Sequence, residues 1–186
     1  MTTQASTQDA LAGLLAMQRA AFLRDGAPSL AERRASLRKL RAAVLARRRE
    51  LEAALDADFG HRSPYVTAIM EVMPLIWGID YLHSNLRRFM RRERRHVALP
   101  MRLARACVEY QPLGVIGIVA PWNYPFSLAL TPLATALAAG NRAMIKPSEL
   151  TPATSGLLVS MLAEGFPEDE VAVVSGDPSG GGAFAA

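Results

Sequence analysis

The chain has 186 residues, 51% of them apolar, which allows one domain with a real core and excludes global disorder. A single cysteine, Cys107, excludes an internal disulfide and any multi-cysteine metal site. The net charge of +4 is uneven: residues 1–110 carry 19 basic and 11 acidic side chains, residues 111–186 only 2 and 6.

No uninterrupted apolar run reaches the ~18 residues of a membrane span. Met1 to Asp9 lacks the basic-then-apolar order of a signal peptide. A cytoplasmic chain without a membrane partner is expected. Leu11 to Arg24 reads as a first helix, ending near Gly26-Ala27-Pro28. Ser29 opens a second, with Glu32 three residues later as in a capping box. Leu37, Leu40, Val44, Leu51 and Leu55 mark its buried face, with a break near Arg47-Arg48-Arg49 and a stop at Gly60. Ser63-Pro64 starts the next helix. Tyr65, Ile69, Val72, Ile76, Ile79, His83, Leu86 and Met90 form its stripe, and Met73 and Trp77 are expected in the core. From His96 to Pro112 the pattern alternates. Val97, Leu99, Met101 and Leu103, then Cys107, Val108 and Tyr110, suggest strands in a hairpin. The remainder reads β-α-β-α-β: strand 114–120, helix 126–139, strand 142–146, helix 151–164, strand 171–175. Apolar strands spaced by helices indicate a parallel sheet. The expected fold is α/β, in three parts: an N-terminal helical region at 1–95, an extended hairpin-like segment at 96–113, and a parallel-sheet part at 114–186.

Two short motifs carry chemistry. Pro121-Trp122-Asn123-Tyr124-Pro125 follows the first parallel strand, and its prolines stiffen the backbone around a lone side-chain amide. Such an amide suits a hydrogen bond to a developing negative charge, although the segment also reads as a simple rigid turn. Lys146-Pro147-Ser148-Glu149 follows the second strand. Ligands of open parallel sheets sit beyond the carboxyl ends of the strands, so both motifs line one edge if the strands are neighbours. Lys146 and Glu149 offer a donor and an acceptor for the paired hydroxyls of a ribose. The alternative is a solvated strand end and a helix first turn, where an acidic residue is welcome anyway.

Gly117 to Pro125, the Ala139-Gly140-Asn141 turn, Lys146-Pro147-Ser148-Glu149 with Thr151-Pro152, and Glu164-Gly165-Phe166-Pro167 resemble the cofactor-binding half of an aldehyde dehydrogenase. Upstream, Gln18-Arg19-Ala20-Ala21-Phe22, Asp58-Phe59-Gly60-His61-Arg62-Ser63 and the helix carrying Glu71 look like the coniferyl-aldehyde branch. The resemblance implies that residues 114–186 are part of a Rossmann-like NAD-binding domain. It implies NAD(P)-dependent oxidation of an aldehyde, of aromatic coniferyl type, to the acid, with Asn123 donating to the oxyanion. It places Ala120, Pro121, Trp122, Lys146, Ser148 and Glu149 against the cofactor, with Lys146 and Glu149 on the adenosine ribose. A carboxylate at Glu149 disfavours a 2′-phosphate, so NAD is expected, NADP being the family's exception. Leu128 and the surroundings of Tyr124 are the residues here that could face substrate. A full-length enzyme of this kind is expected to be a homodimer or homotetramer.

The same resemblance places the nucleophilic cysteine and the glutamate base beyond residue 186, so the chain is expected to be an N-terminal portion of a full enzyme. The competing reading is a non-catalytic fragment with weak nucleotide binding or an assembly surface. Cys107 has no evident activating partner and reads as a buried structural thiol. Gly176-Asp177 matches the loop that approaches the adenine. Arg87, Arg88, Arg91, Arg92, Arg94, Arg95, Arg102 and Arg105 form a basic cluster. It lacks interleaved stacking aromatics beyond Phe89, so a solvated helix end or subunit contact is expected rather than nucleic acid. Asp80 and His83 have a metal-compatible spacing, but with only His61 and His96 besides no metal set emerges, and His83 is expected to pack in the core.

Overall fold

The computed structural model describes residues 2–101, 103–175 and 184. Helices α1 (Thr2–Asp25), α2 (Leu30–Ala46) and α3 (Arg48–Phe59) open the chain. The capping box forms: the Glu32 N–H donates to Ser29 Oγ at 3.3 Å, and the Ser29 N–H donates to the Glu32 carboxylate at 2.7 Å. Leu37, Leu40 and Val44 of α2 and Leu51 and Leu55 of α3 are buried as their spacing requires, and the helices part at Arg47.

The next helix departs from its stripe. It begins as α4 (Pro64–Thr67), passes through a π turn at Ala68–Val72, and continues as α5 (Met73–Phe89). In the π turn the Met73 N–H reaches the Ala68 carbonyl, five residues back. Pro74 has no N–H to give the preceding turn, which makes a wider turn just before it cheap. The extra residue rotates the buried face. Tyr65 and Ile69 therefore turn outward, and Thr67 and Glu71 turn inward to 0% exposure. From Val72, the end of the π turn, the stripe holds at Val72, Ile76, Ile79 and Leu86, while His83 is only half-buried. Met73 and Trp77, expected in the core, are exposed. The combined stretch Pro64–Phe89 is long and apolar enough to cross a membrane by length and composition. A count of uninterrupted apolar runs overlooks it because Glu71 and Asp80 interrupt the run. One face packs against α2 and against the helix at Ser127–Ala139.

The hairpin exists with other bounds. Strands β1 (Glu93–Arg95) and β2 (Ala106–Val108) pair antiparallel, with Arg94 opposite Cys107. The alternating residues 97–103 are not its strands. Leu99–Met101 is a 3-10 turn, and Leu99, Met101 and Leu103 are exposed. Pro100 cannot donate to a ladder, which weighs against a strand there.

The parallel sheet comprises β3 (Val115–Val119), β4 (Arg142–Lys146) and β5 (Val171–Val173) in that order, with α6 (Ser127–Ala139) and α7 (Pro152–Gly165) as crossovers. Helices α1 and α6 pack on β3 and β4. Leu11, Gln18 and Ala21 are the buried side of α1, and Gln18 Nε2 donates to the carbonyls of Ala143 at 3.1 Å and Glu168 at 2.9 Å.

Helix α6 ends at Gly140, whose φ of 86° is the left-handed conformation of a helix stop. Arg33 reaches this end from α2 and donates to the carbonyls of Ala139 at 2.8 Å and Ala138 at 3.3 Å. A Cβ on Gly140 would meet the Arg33 guanidinium at 2.6 Å. Gly140→Ala is therefore expected to cost about 2 kcal/mol or more from backbone strain and collision together. Urea denaturation checks this, and an unchanged midpoint contradicts it.

Candidate functional site

Parallel pairing brings the two motifs together. Val119 lies opposite Lys146, and the Ala120 N–H donates to the Lys146 carbonyl at 3.0 Å. The turns after β3 and β4 therefore leave the same edge of the sheet. Ala120 is buried, while Pro121, Trp122 and Asn123 are exposed. Val119 at 62% and Trp122 at 54% exposure form an open apolar shelf. Beside it Lys146 is buried to 5%, and its Nζ donates to Glu149 Oε2 at 2.8 Å. Ser148 Oγ accepts the Leu150 N–H at 3.2 Å and its carbonyl accepts the Ser155 hydroxyl at 2.9 Å, so Ser148 shapes the turn that carries the pair.

The helices that follow these turns have no side-chain cap of their own. Phe126 precedes α6 and Thr151 precedes α7, and neither side chain caps. Both helices are instead capped by carboxylates from the N-terminal helices. Glu71, fully buried in the π turn, accepts the Ser127 N–H at 2.7 Å. Asp58, in the last turn of α3, accepts the Ala153 and Thr154 N–H groups at 2.9 and 2.8 Å. Such caps typically contribute about 1 kcal/mol each. Arg62 joins the first cap to the Asn123 turn. Its guanidinium lies 3.4 Å from Glu71 Oε1, donates to the Asn123 carbonyl at 3.4 Å, and sits over the rings of Phe59 at 4.7 Å and Tyr124 at 5.2 Å.

The electrostatic consequence is specific. Helix N-termini at the edge of an α/β sheet are ready anion sites. Here both are taken by carboxylates, so this edge does not offer the phosphate cradle of such folds. What it offers is a buried amine beside a carboxylate and a flat apolar shelf. That donor set fits the sugar of a nucleotide better than its phosphates. Asp58, Arg62 and Glu71 have no site role in the sequence reading. Their partners lie 95, 61 and 56 residues away, and only an acidic residue unaligned with its own helix's apolar stripe could have drawn notice.

Other candidates disperse. Cys107, expected to be buried, is exposed on β2, because the hairpin has no covering layer among the described residues. Asp80 pairs with Arg41 at 2.8 Å, and His83 Nε2 lies 3.4 Å from Arg38, so the two do not form a ligand pair. Among the described residues there is no group of three or more metal-ligating side chains. The described arginines of the basic cluster are exposed, and Arg92 pairs with Glu109 and Arg95 with Glu93. Arg102 and Gly176-Asp177 lie outside the described residues.

Burial holds the Glu71 carboxyl above its ordinary value of 4.5, outweighing the Ser127 N–H and Arg62, which favour the charged form. With the higher pKa in the native state, the folded chain holds this proton more tightly than the unfolded one. That contribution is full below the ordinary value and is lost as pH rises through the native pKa. Glu71→Gln keeps an acceptor for Ser127 but has no proton to lose. Urea denaturation from about pH 4 to 7 should show wild-type stability falling relative to Glu71→Gln just above 4.5 and then levelling. Parallel curves contradict this.

The chain matches the Aldehyde dehydrogenase family over residues 1–185. It is 47% identical over 174 residues to a probable coniferyl aldehyde dehydrogenase of Pseudomonas aeruginosa, covering 94% of this chain and 37% of that protein. It is 44% identical over 175 residues to a probable coniferyl aldehyde dehydrogenase of Caulobacter vibrioides, covering 92% and 36%. The substrate-bound AldH of Staphylococcus aureus superposes with a TM-score of 0.85 at 27% identity, over 89% of this chain and 36% of that one. A Mycobacterium tuberculosis aldehyde dehydrogenase complexed with NAD+ gives 0.80 at 27% identity, over 95% and 36%. The chain thus spans little more than a third of the length of these relatives. On the match along almost all of its residues, the chain belongs to the aldehyde dehydrogenase family.

Proposed function

We propose that this chain supplies two parts of an NAD(P)-dependent aldehyde dehydrogenase: the grip on the cofactor's adenosine ribose and the side-chain donor of an oxyanion hole. The observation that carries the reading is the common sheet edge, where the Asn123 turn and the Lys146–Glu149 pair leave adjacent parallel strands. When bound, the nicotinamide cofactor supplies the hydride acceptor. Lys146 donates to a ribose hydroxyl and Glu149 accepts from one. Ala120, Pro121 and Trp122 lie along the cofactor, and Ser148 holds the turn that aims the ribose pair. Glu149 repels a 2′-phosphate, which favours NAD over NADP. The Asn123 amide donates to the aldehyde oxygen as that oxygen gains charge, stronger in the transition state than before it. Tyr124 and Leu128, half-buried and partly exposed beside the turn, form an apolar approach for an aromatic aldehyde of the coniferyl kind, the substrate class in the names of the relatives.

Cys107 has no part in this chemistry, since it lies on the hairpin sheet and not on the sheet that carries Asn123. Exposed Leu99, Met101 and Leu103 favour a second role for the hairpin segment, in contact between subunits of a homodimer or homotetramer.

Calorimetric titration of the 186-residue chain with NAD+ should show saturable binding, weakened about tenfold or more in Lys146→Ala and in Glu149→Ala, the scale of a lost charge-assisted hydrogen bond. Binding unchanged in both variants contradicts the ribose assignment. Mixed with NAD+ and coniferyl aldehyde, the chain alone should produce no steady NADH. In a protein that also carries the nucleophile, Asn123→Ala should lower turnover by about 10²–10³.

A further inference from the structure

Three side chains of the N-terminal part, Asp58, Arg62 and Glu71, reach the Asn123 turn or the helices that leave the two functional turns, and are left unexplained by the ribose and oxyanion assignments. Asp58 takes the first free N–H groups of α7, which continues from the Lys146–Glu149 turn. Glu71 takes the Ser127 N–H of α6, which continues from the Asn123 turn. Arg62 lies between them in sequence, joins Glu71 to the Asn123 carbonyl, and is clamped by Phe59 and Tyr124 with 9% of its side chain exposed. The three residues that link Asp58 to Arg62 form a built turn. Gly60 and His61 are both left-handed, with φ of 60° and 73°, a conformation that a non-glycine residue such as His61 rarely holds. The Gly60 N–H closes on the Asp56 carbonyl at 2.8 Å.

We propose that Asp58, Arg62 and Glu71 are positioning residues, a strut that sets the Asn123 turn and the Lys146–Glu149 turn relative to one another. The proposal rests on the functional reading of those two turns. Sheet pairing fixes where the turns start, through the Ala120 to Lys146 hydrogen bond. The strut fixes where they end, at the first residues of α6 and α7. Each turn is thus held at both ends, and the two distal anchors belong to one short segment. A disturbance at Asp58 therefore passes through the 60–61 link to Arg62 and reaches the Asn123 turn, and the reverse.

The test is hydrogen exchange by mass spectrometry on the 186-residue chain without cofactor, read in peptides 121–128 and 147–155, with 37–44 as the reference for global opening. Asp58→Ala should speed exchange about fivefold in 147–155, the scale of a lost helix cap, and measurably in 121–128, with 37–44 unchanged. Arg62→Met should affect the same two peptides, more strongly 121–128. Asp58→Asn, which keeps a capping oxygen, and Arg62→Lys, which keeps the charge, should restore most of the protection. Effects confined to each residue's own turn overturn the strut. So does equal acceleration in all three peptides that persists in Asp58→Asn and Arg62→Lys, because general loss of stability gives that pattern. Because no cofactor is present, failure of NAD+ binding in the titration above and failure of the strut are separate results.

Discussion

The structure depends on two helices that cannot cap themselves. Helices α6 and α7 start directly after tight, proline-bearing turns, and the residues at their N-caps, Phe126 and Thr151, leave the first N–H groups without a side-chain partner. Orphan N–H groups near a core demand an acceptor. Glu71 and Asp58 provide it from helices far earlier in the chain. The N-terminal helical region is thereby tied to the parallel sheet at the points where the candidate chemistry sits. Packing of α5 on α6 and of α3 on α7 adds area to the same joints. Arg33 performs the matching service at the other end of α6, where it meets the carbonyls of Ala138 and Ala139.

These caps also decide what the edge can bind. A carboxylate over each helix N-terminus removes the positive potential that would attract phosphate. The remaining polar partners are Lys146 and Glu149, already 2.8 Å apart and oriented by the Ser148 turn. Beside them lies the apolar surface of Val119 and Trp122. A sugar and a flat ring suit that surface, and a pyrophosphate does not. The cost of the arrangement is Glu71, a carboxyl kept in a dry site where ionisation is disfavoured. Arg62, stacked between two rings, supplies the nearby charge that makes that burial tolerable.

Elements defined by local pattern were legible in the sequence. The Ser29–Glu32 box, the break at Arg47, the strand Arg142–Lys146 and the helix stop at Gly140 all lie where spacing and residue type put them. The adjacency of the two turns was legible only on the condition that their strands are neighbours, which the pairing of β3 with β4 fulfils. Other features were not legible because their causes are not local. The π turn shifts the face of the long helix, so Tyr65 and Ile69 leave the core while Thr67 and Glu71 enter it. Trp77 is apolar yet exposed, and Cys107 sits uncovered on a two-stranded sheet. The alternation at 97–103 resembles a strand only if Pro100 is ignored. The caps from Asp58 and Glu71 span tens of residues, and no periodicity announces them.

The central claim is that both turns form one binding edge. Its most direct measurement is a heteronuclear NMR titration of the 186-residue chain with NAD+. The account predicts that amide signals from 120–124 and 146–150 shift together with a single dissociation constant, while those of the hairpin at 93–108 stay in place. Shifts confined to one turn, or centred on the arginine-rich hairpin, would contradict it.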